Sequence, residues 1–210
     1  MLRGRGRAGI FRVLRNSREI DSARKLLYKV YVEELSWKFM PNNPSGIHVQ
    51  QLASGEKMLC DHFDDEAVWI GTFKGQELAG VSRILTRENK FGKLDVELYE
   101  SSKKPSTLFR LKEPCIEIQR IGSLKQRRRK HKFLAGILFF NLGFAKTRRS
   151  NVLVNSSLKY IRVSLENFGF ECIDDKFFYG EENELPSSLY LLSFSKIDDA
   201  IKKLKDRVIQ

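Results

Sequence analysis

Charged side chains recur in this sequence as closely spaced pairs of the kind that perform chemistry in enzymes. A carboxylate can act as a general base, and an arginine can hold a carboxylate ligand through two parallel hydrogen bonds. The same residue types can also form a structural salt-bridge network, and the sequence leaves both interpretations open. The residues concerned are Asp61 and Asp64, Glu117 and Arg120, and, between the two pairs, Arg83.

A second feature is a cluster of cations. The chain has 38 Lys and Arg against 26 Asp and Glu, and no acid lies between Glu117 and Glu166. Such an excess indicates a partner with negative charge, which could be nucleic acid, a phosphate-bearing cofactor, an acidic protein or an anionic membrane surface. A solvated basic face is the alternative. The cations closest together are Lys125, Arg127, Arg128, Arg129, Lys130 and Lys132.

The metal-binding residue types are too scattered along the chain to predict a metal site. No two cysteines have CxxC spacing, and an odd number of separated cysteines is typical of reduced thiols in a reducing compartment. We therefore expect a cytoplasmic protein without a metal. The residues are Cys60, Cys115 and Cys172, and His48, His62 and His131.

Length and composition predict one globular domain. The chain has 210 residues, of which 41% are hydrophobic, enough for a sizeable core. No apolar run approaches the roughly 20 residues of a membrane span, so a membrane surface could be contacted but not crossed. Residues 1–18 contain six arginines and no acid. We predict a flexible basic tail over residues 1–18, with a mitochondrial presequence as the alternative, and a single domain over residues 19–210.

Hydrophobic periodicity predicts the elements that position the charged pairs. Helices are expected over residues 20–34, 133–146, 158–168 and 198–208, with a short one near 94–101. Strands are expected over residues 67–73, 78–85, 115–123, 151–155 and 189–194. Strand–helix–strand units behind a hairpin favour an α/β fold with a mixed central sheet flanked by helices.

The end of this predicted sheet resembles the N-acetyltransferase-like (GNAT) fold. Residues 151–173 read NVLVNSSLKYIRVSLENFGFECI, which is similar to the strand, helix and Gly-Phe turn near the end of a GNAT domain. Gly169 and Phe170 occupy the position of that turn. An ordinary helix end followed by an aromatic residue is the alternative interpretation of the dipeptide.

Roughly residues 20–175 also resemble the autoinducer (acyl-homoserine lactone) synthases and the related N-acyl amino acid synthases. These GNAT-like proteins have an aromatic residue and a tryptophan six apart, two aspartates three apart, an arginine on the strand after the hairpin turn, and a glutamate and an arginine three apart on the central strand. The stretch 28–33, YKVYVE, is similar to the N-acyl amino acid synthases. The matching residues are Tyr31 and Trp37, Asp61 and Asp64, Arg83, and Glu117 and Arg120.

Three departures from these families bear on the substrates. Homoserine lactone synthases have an arginine where this chain has Leu27, so the resemblance favours another amine as acceptor. CoA-using GNAT enzymes have a glycine-rich loop whose backbone N–H groups bind a pyrophosphate, whereas residues 126–132 here read QRRRKHK. Many also have a tyrosine where this chain has Leu165. Both losses favour a phosphopantetheine arm delivered by an acidic carrier protein over ordinary CoA.

The resemblance implies an N-acyltransferase that moves a fatty acyl group from acyl carrier protein to the amino group of an amino acid or a similar small amine. It implies Glu117 as the base and backbone N–H groups near Ile121 and Gly122 as donors to the thioester oxyanion. No bound cofactor is expected, because acyl-phosphopantetheine or acyl-CoA acts as a substrate. The residues implied in substrate binding are Trp37, Asp61, Asp64, Arg83 and Arg120, and those in carrier-protein docking are Arg127, Arg128, Arg129, Lys130 and Lys132.

Two other functions stay open at this point. One is a CoA-dependent GNAT acyltransferase that acts on a protein or a small amine. The other is a basic module that binds nucleic acid without catalysis. Nucleic acid is the less favoured partner, because the sequence has no helix-turn-helix, zinc-finger or RNP-type aromatic motif.

Overall fold

A computed structural model of the chain describes residues 3–6, 9–39, 41–99, 114–124, 132–177 and 187–209. These residues form an eight-stranded sheet and a separate two-stranded hairpin. The strands are β1 (Arg3–Gly6), β2 (Gly9–Val13), β3 (His48–Gln51), β4 (Lys57–Cys60), β5 (Val68–Lys74), β6 (Glu77–Thr86), β7 (Cys115–Ser123), β8 (Asn151–Ser156), β9 (Glu171–Phe177) and β10 (Ser187–Leu192).

Four α-helices accompany the strands, and the first has an unusual continuation. Asn16 caps this helix, because its side chain accepts the backbone N–H of Glu19 at 3.0 Å. The helix then runs directly into a π-helix, Tyr28–Glu34, a form that is rare and is frequently found at functional sites. The α-helices are α1 (Ser17–Leu27), α2 (Lys132–Thr147), α3 (Lys159–Asn167) and α4 (Ile197–Ile209), and Asp95–Leu98 and Phe194–Lys196 are 3₁₀-helices.

The large sheet is mixed, as the sequence predicts. Its strand order is β1-β2-β5-β6-β7-β8-β10-β9. All neighbouring strands are antiparallel except β7 and β8, which are parallel and joined through α2. A parallel pair requires such a crossover, since the chain must return to the same end of the sheet. Strand β10 inserts between β8 and β9, so the last strand in sequence is not the edge strand.

The prediction of a flexible tail over residues 1–18 is wrong for the stretch that forms β2. Residues 10–13 pair antiparallel with residues 70–73 of β5, and helix α1 begins at Ser17. Phe11 is buried and lies against Gly136, where a Cβ atom would come within 2.4 Å of its ring. The reason is that a short apolar strand, GIFRV, is hidden among arginines whose charge dominates the composition of this stretch.

The two faces of the sheet carry different environments. On β7, Ile116 and Ile118 point into a core formed with α2, α3 and α4. The alternate residues point to the opposite face, where Cys115 belongs to a second apolar cluster and Glu117 is fully buried. The alternation in CIEIQRIGS therefore decides that Glu117 and Gln119 share one face, which we call the Glu117 face.

A bulge in β7 brings Arg120 to the Glu117 face. Residues three apart on a regular strand point to opposite faces. Between the pairs Val81–Gly122 and Arg83–Gln119, however, two residues of β7 oppose the single residue Ser82. Arg120, the first residue of this bulge, has a φ of 52°. The extra residue resets the alternation, so Arg120 and Gln119 both reach acids on this face, Arg120 donating to Asp61 and Gln119 to Asp95.

The parallel strands β7 and β8 separate halfway along their length. Their pairing covers only residues 115–118 of β7 with residues 151–154 of β8. Strand β7 continues to Ser123 and β8 to Ser156 without further pairing between them. This divergence leaves a gap in the backbone pairing between the two strands, beside Glu117.

Most of the predicted elements are confirmed. The strand over residues 115–123 has the predicted bounds, and the other predicted helices and strands differ by a few residues at their ends. The hairpin of β3 and β4 was missed, because HVQQ and KMLC are short and show no alternation of apolar residues. None of the described helices is long and apolar enough to cross a membrane.

Candidate active site

Arg83 lies at the centre of a buried ionic network. Its Nη1 donates to Asp61 Oδ1 at 2.6 Å and to Asp64 Oδ1 at 2.5 Å, and its Nη2 donates to Asp61 Oδ2 at 2.7 Å. Its Nε donates to Gln119 Oε1 at 2.9 Å, and Nη2 donates to the same oxygen. All five N–H groups of this guanidinium are thus accepted by protein atoms, and its side chain is 0% exposed. Arg83 has no donor left for a substrate in this arrangement.

Arg120 is held more loosely than Arg83. Its Nη2 donates to Asp61 Oδ2 at 2.7 Å, while its Nε and Nη1 have no hydrogen-bond partner among the described residues. Its guanidinium carbon lies 5.7 Å from the centre of the Trp37 ring, within the range of a cation–π contact. Arg120 therefore pairs with Asp61 and not with Glu117, and it retains donors that a ligand could use.

The two aspartates respond oppositely to this network. Burial favours the neutral form of both, but the charges of Arg83 and Arg120 outweigh it at Asp61 and lower the pKa of that carboxyl. Burial and the charge of Asp61 together raise the pKa of Asp64. Asp64 also pairs with Arg24, whose Nε lies 3.0 Å from Asp64 Oδ2. The network thus links α1, the segment after β4, β6 and β7.

Glu117 is the buried carboxyl with the fewest hydrogen bonds. Its Oε2 accepts the backbone N–H of Val96 at 3.2 Å. Its Oε1 is inaccessible to solvent and has no hydrogen-bond partner among the described residues. Burial, followed by the negative charge of Asp95, raises the pKa of Glu117 to about 8. A general base works best when its pKa is near the working pH, and Glu117 meets that condition.

Asp95 belongs to a second polar network beside Glu117. Ser45 Oγ donates to Asp95 Oδ1, and Ser45 Oγ also lies 2.5 Å from the hydroxyl of Tyr99. Gln119 Nε2 donates to Asp95 Oδ2 at 3.2 Å. Burial raises the pKa of Asp95 and, for Tyr99, raises the pKa to about 12. Gln119 connects this network to the first one, because its Oε1 binds Arg83.

The π-helix packs on the bulge of β7. The Tyr31 hydroxyl donates to the carbonyl of Ile121 at 3.1 Å, and the rings of Tyr31 and Trp37 have centres 5.1 Å apart. Leu27 packs on Gly122, where a Cβ atom would lie 2.9 Å from Leu27 Cδ2. The close approach of α1 therefore requires glycine at position 122.

The side chain of Asn155, at the β7–β8 divergence, also lacks a hydrogen-bond partner among the described residues. Asn155 is the first residue of β8 beyond the pairing with β7, and it pairs with Leu189 on the other side. Both polar atoms of its side chain are buried and have no hydrogen-bond partner in the described structure. Alternation from Leu153 puts this side chain on the Glu117 face. Buried amides are almost always hydrogen-bonded, so an unpaired one is unusual at this position.

The structure thus brings most of the residues singled out in the sequence onto one face of the sheet. These are Trp37, Asp61, Asp64, Arg83, Glu117, Arg120 and Gly122. The side chain of Ile121 packs on the core at the opposite face, and its carbonyl accepts from Tyr31. Trp69 is a buried core residue whose indole nitrogen donates to the carbonyl of Asp64 at 2.9 Å. Of the predicted docking cluster, Lys132 is the first residue of α2, and Arg127, Arg128, Arg129 and Lys130 lie outside the described residues.

Four polar residues of the site were not predicted. Gln119 could have been predicted from strand alternation, because it lies two residues after Glu117 on the same strand and therefore on the same face. Ser45, Asp95 and Asn155 lie in segments whose sequence shows no pattern pointing to this site. Within the described part of the chain, no group of three or more His, Cys, Asp or Glu is placed to hold a metal ion.

Comparison with known proteins bears on the fold. No protein-family model and no curated protein sequence matches the chain. Among solved structures, it is similar to FeeM, an N-acyl amino acid synthase from uncultured soil microbes, with a TM-score of 0.63 and 15% identity over 93% of this chain and 96% of that one. The chain has the N-acyltransferase-like fold. The predicted fold class is therefore confirmed.

Two further structures share this fold. BjaI, described as a CoA-dependent acyl-homoserine lactone synthase and solved with SAM and isopentyl-CoA, has a TM-score of 0.57 and 14% identity over 92% of this chain and 86% of that one. An acyl-CoA N-acyltransferase from Pseudomonas aeruginosa has a TM-score of 0.55 and 12% identity over 87% of this chain and 98% of that one. At these identities the similarity concerns the fold and not the substrates.

Proposed function

We propose that the protein is an N-acyltransferase that moves a fatty acyl group from the thioester of acyl carrier protein to the amino group of an amino acid or a similar small amine. The observation that carries the proposal is Glu117, a buried carboxyl with a free oxygen and a pKa of about 8, beside the divergence of β7 and β8. The acyltransferases among the similar structures support the same chemistry.

The reaction assigns one proton transfer to Glu117. An amine arrives at neutral pH as an ammonium ion and attacks only after losing a proton, which the Glu117 carboxylate takes. The amine nitrogen then bonds to the thioester carbon, the carbon–sulfur bond breaks, and the second proton of the nitrogen passes to the leaving thiolate. The net reaction gives an amide, a thiol and one proton released to solvent. Backbone N–H groups at Ile121, in the bulge, and at Gly122, next to it, would stabilise the developing oxyanion.

The acceptor side of the proposed site is formed by Arg120 and Trp37. Among the described residues, Arg120 has donors without a partner, whereas those of Arg83 are all occupied. Of the two arginines, Arg120 is therefore the better candidate to hold an acceptor carboxylate. Arg83, with Asp61 and Asp64, would act indirectly by fixing the position of Arg120. Leu27 lies where homoserine lactone synthases have an arginine, which favours a different amine.

The donor side is the gap between β7 and β8. A phosphopantetheine arm carries amide groups, and the buried side-chain amide of Asn155 offers both a donor and an acceptor at this gap. The donor is a substrate, so the proposal needs no resident cofactor and no metal. The basic stretch 125–132 precedes α2 in sequence, and its charge is complementary to an acidic carrier protein.

The product identifies the reaction most directly. We would express the chain and its Glu117→Gln variant in a bacterial host and analyse lipid extracts by mass spectrometry. A new N-acyl amino acid with the wild-type chain only is the expected result, and it would reveal acceptor and acyl length together. No new amide, with both proteins folded and acyl carrier protein present, would contradict the proposal.

The identity of the donor can be tested through the docking cluster. Reversing Arg128 and Lys130 to Glu should slow the reaction with acyl carrier protein and leave a short carrier-free thioester nearly unaffected. Added salt should cause the same defect, since exposed charges are screened over about 8–10 Å at physiological ionic strength. An equal loss of rate with the carrier-bound and the carrier-free thioester would contradict docking of the carrier protein by this cluster. Thermal stabilisation by CoA would favour the CoA-dependent alternative, and salt-sensitive binding of DNA or RNA would favour the nucleic-acid module.

A further inference from the structure

The buried charges on the Glu117 face do not balance. Among the described residues, three guanidinium groups lie against four carboxyl groups. The cations are Arg24, Arg83 and Arg120, and the acids are Asp61, Asp64, Asp95 and Glu117. An uncompensated charge in a buried site is strongly unfavourable. Within the described part of the chain, the charges are therefore balanced when one of the four carboxyl groups holds a proton.

Hydrogen bonding identifies Glu117 as the carboxyl that is protonated. Hydrogen bonds donated to a carboxylate favour its ionised form. Both oxygens of Asp95 accept such bonds, from Ser45 Oγ and from Gln119 Nε2, whereas Oε1 of Glu117 accepts none among the described residues. Gln119 also interacts with Glu117 and lowers its pKa, but burial outweighs that interaction. The segment that carries Asp95 is fixed against Glu117, because the N–H of the next residue, Val96, donates to Glu117 Oε2.

We propose that Asp95 is a positioning residue of the acceptor site. Its carboxylate, held by Ser45 and Gln119, keeps the proton on Glu117 until the ammonium group of the acceptor enters and supplies the missing positive charge. The inference rests on the proposed function, since it assigns the acceptor amine to this site. Asp95 stays ionised throughout and touches no reacting atom.

The proton balance of this device is closed. When the ammonium group binds, Glu117 releases its proton to solvent and becomes a carboxylate paired with the incoming cation. Glu117 then takes one proton from the ammonium group, and the free amine attacks the thioester. After the amide and the thiol form, Glu117 is protonated again, as at the start. One proton has left per turnover, which matches the net reaction.

The groups that face the carboxyl pair, Asp95 and Glu117, come from several elements. Arg83 and Arg120 face it from β6 and β7, and Asp61 faces it from the segment after β4. Cys115 and Tyr99 are also nearby, and burial raises the pKa of each to about 12, so both remain neutral at physiological pH. The arginines remain charged, Asp61 remains ionised, and Asp64, whose pKa burial also raises, is held by ion pairs with Arg24 and Arg83. Glu117, whose Oε1 has no such partner among the described residues, is therefore the group expected to change its charge near neutral pH.

The test removes the charge of Asp95 and follows the titration of Glu117. In Asp95→Asn, the new amide can donate to Ser45 and accept from Gln119, so the two hydrogen bonds are preserved. The Glu117 carboxyl is followed by NMR in the full-length protein with ¹³C-labelled glutamate, and Glu117→Gln assigns its signal. We expect the pKa of Glu117 to fall by at least about one pH unit, and the acid limb of the pH profile of kcat/KM to move with it.

Tyr99→Phe is the matched control. It removes a hydroxyl one link further from Asp95 and keeps both carboxyl groups, so the pKa of Glu117 should stay within about 0.3 pH unit of the wild-type value. A folded Asp95→Asn protein whose Glu117 titrates as in the wild type would overturn the proposal. If that variant does not fold, the wild-type protein decides, because a Glu117 that titrates near the ordinary glutamate value excludes the pair.

A cationic probe adds a readout that does not depend on turnover. At neutral pH, methylammonium chloride should shift the Glu117 signal toward the carboxylate form in the wild-type protein, and sodium chloride at the same ionic strength should not. If the protein turns over but the Glu117 titration is unchanged by Asp95→Asn and by methylammonium, the role proposed for Asp95 is overturned and the proposed function is not. Titrations as expected without turnover of any amine and acyl donor would support the pair and count against the proposed function.

Discussion

Two regions of the Glu117 face contain buried polar groups and treat them in opposite ways. Around Arg83, every N–H of the guanidinium is accepted by Asp61, Asp64 or Gln119. Over β7 and β8, in the described part of the chain, Oε1 of Glu117 and the side-chain amide of Asn155 have no partner. The first region is chemically saturated and the second is not.

This difference separates structural from reactive groups better than residue type does. A buried polar atom without a hydrogen bond is costly, and such groups in folded proteins usually have a functional explanation. A saturated network of buried charges, by contrast, is destabilised when one member is removed. We therefore expect substitutions near Arg83 to affect folding and substitutions at Glu117 to affect chemistry.

The largest effect should follow from removing Arg83. Arg83→Met leaves the carboxyl groups of Asp61 and Asp64 without their main partner, and the expected loss of unfolding free energy is about 3–5 kcal/mol. Lys146→Met is the matched control, because its ion pair with Asp198 is exposed, and such pairs contribute roughly 0–1 kcal/mol. Urea unfolding measures both. A loss at Arg83 no larger than the control would remove the distinction between the two regions.

Glu117→Gln should have the opposite profile. Gln keeps the shape of the side chain without its basicity, so the rate should fall about 100- to 10,000-fold while the protein stays folded. Glu88→Gln, at an exposed glutamate paired with Arg148, is the control for loss of a carboxylate. A near wild-type rate would rule out Glu117 as the base, and loss of the fold would assign it a structural role.

The pH dependence of stability sharpens the contrast further. The pKa of Glu117 is about 8 in the folded protein and 4.5 as its ordinary value, so the folded state keeps a proton that the unfolded chain loses between these values. Stability attributable to Glu117 is therefore present at low pH and is lost as pH rises through this window, at up to about 1.4 kcal/mol per pH unit. Above pH 8 the loss levels off.

The measurement is urea unfolding of the wild type and of Glu117→Gln across this pH range. The variant lacks the titrating group, so its stability relative to the wild type should increase with pH. If the unfolding free energies of the two proteins change in parallel with pH, Glu117 titrates as an ordinary exposed glutamate. The region around Glu117 would then have no special effect on its pKa.

The smallest effect is expected at Arg120, which lies between the two regions. Arg120→Lys keeps the charge near Asp61 but removes the planar fork that grips a carboxylate. The KM for the acceptor should rise about tenfold, equivalent to ~1.4 kcal/mol, with little change in the KM for the donor. If the donor KM moves instead, the acceptor and donor sides of the site are reversed.

The local pattern of the sequence already contains much of the fold. The span of β7, the shared face of Glu117 and Gln119 and the helix–turn ending at Gly169 all follow from apolar residues repeating at strand or helix spacing. Such patterns act over a few residues and can therefore be read one segment at a time. The strand β2 shows the limit, since a run of arginines hides its short apolar pattern.

The hydrogen bonds within the site do not follow from local sequence patterns. Asp61 and Arg120 are 59 positions apart, and Ser45 and Asp95 are 50 apart, so no local pattern records their contact. The sequence determined which residue types are present on β7 and which face Glu117 occupies. Only the tertiary structure decided that Arg83 is saturated, that a bulge turns Arg120 to the same face, and that Asp95 stands beside Glu117. The physical reason is that hydrogen bonds between buried side chains depend on how segments that are distant in the sequence pack together.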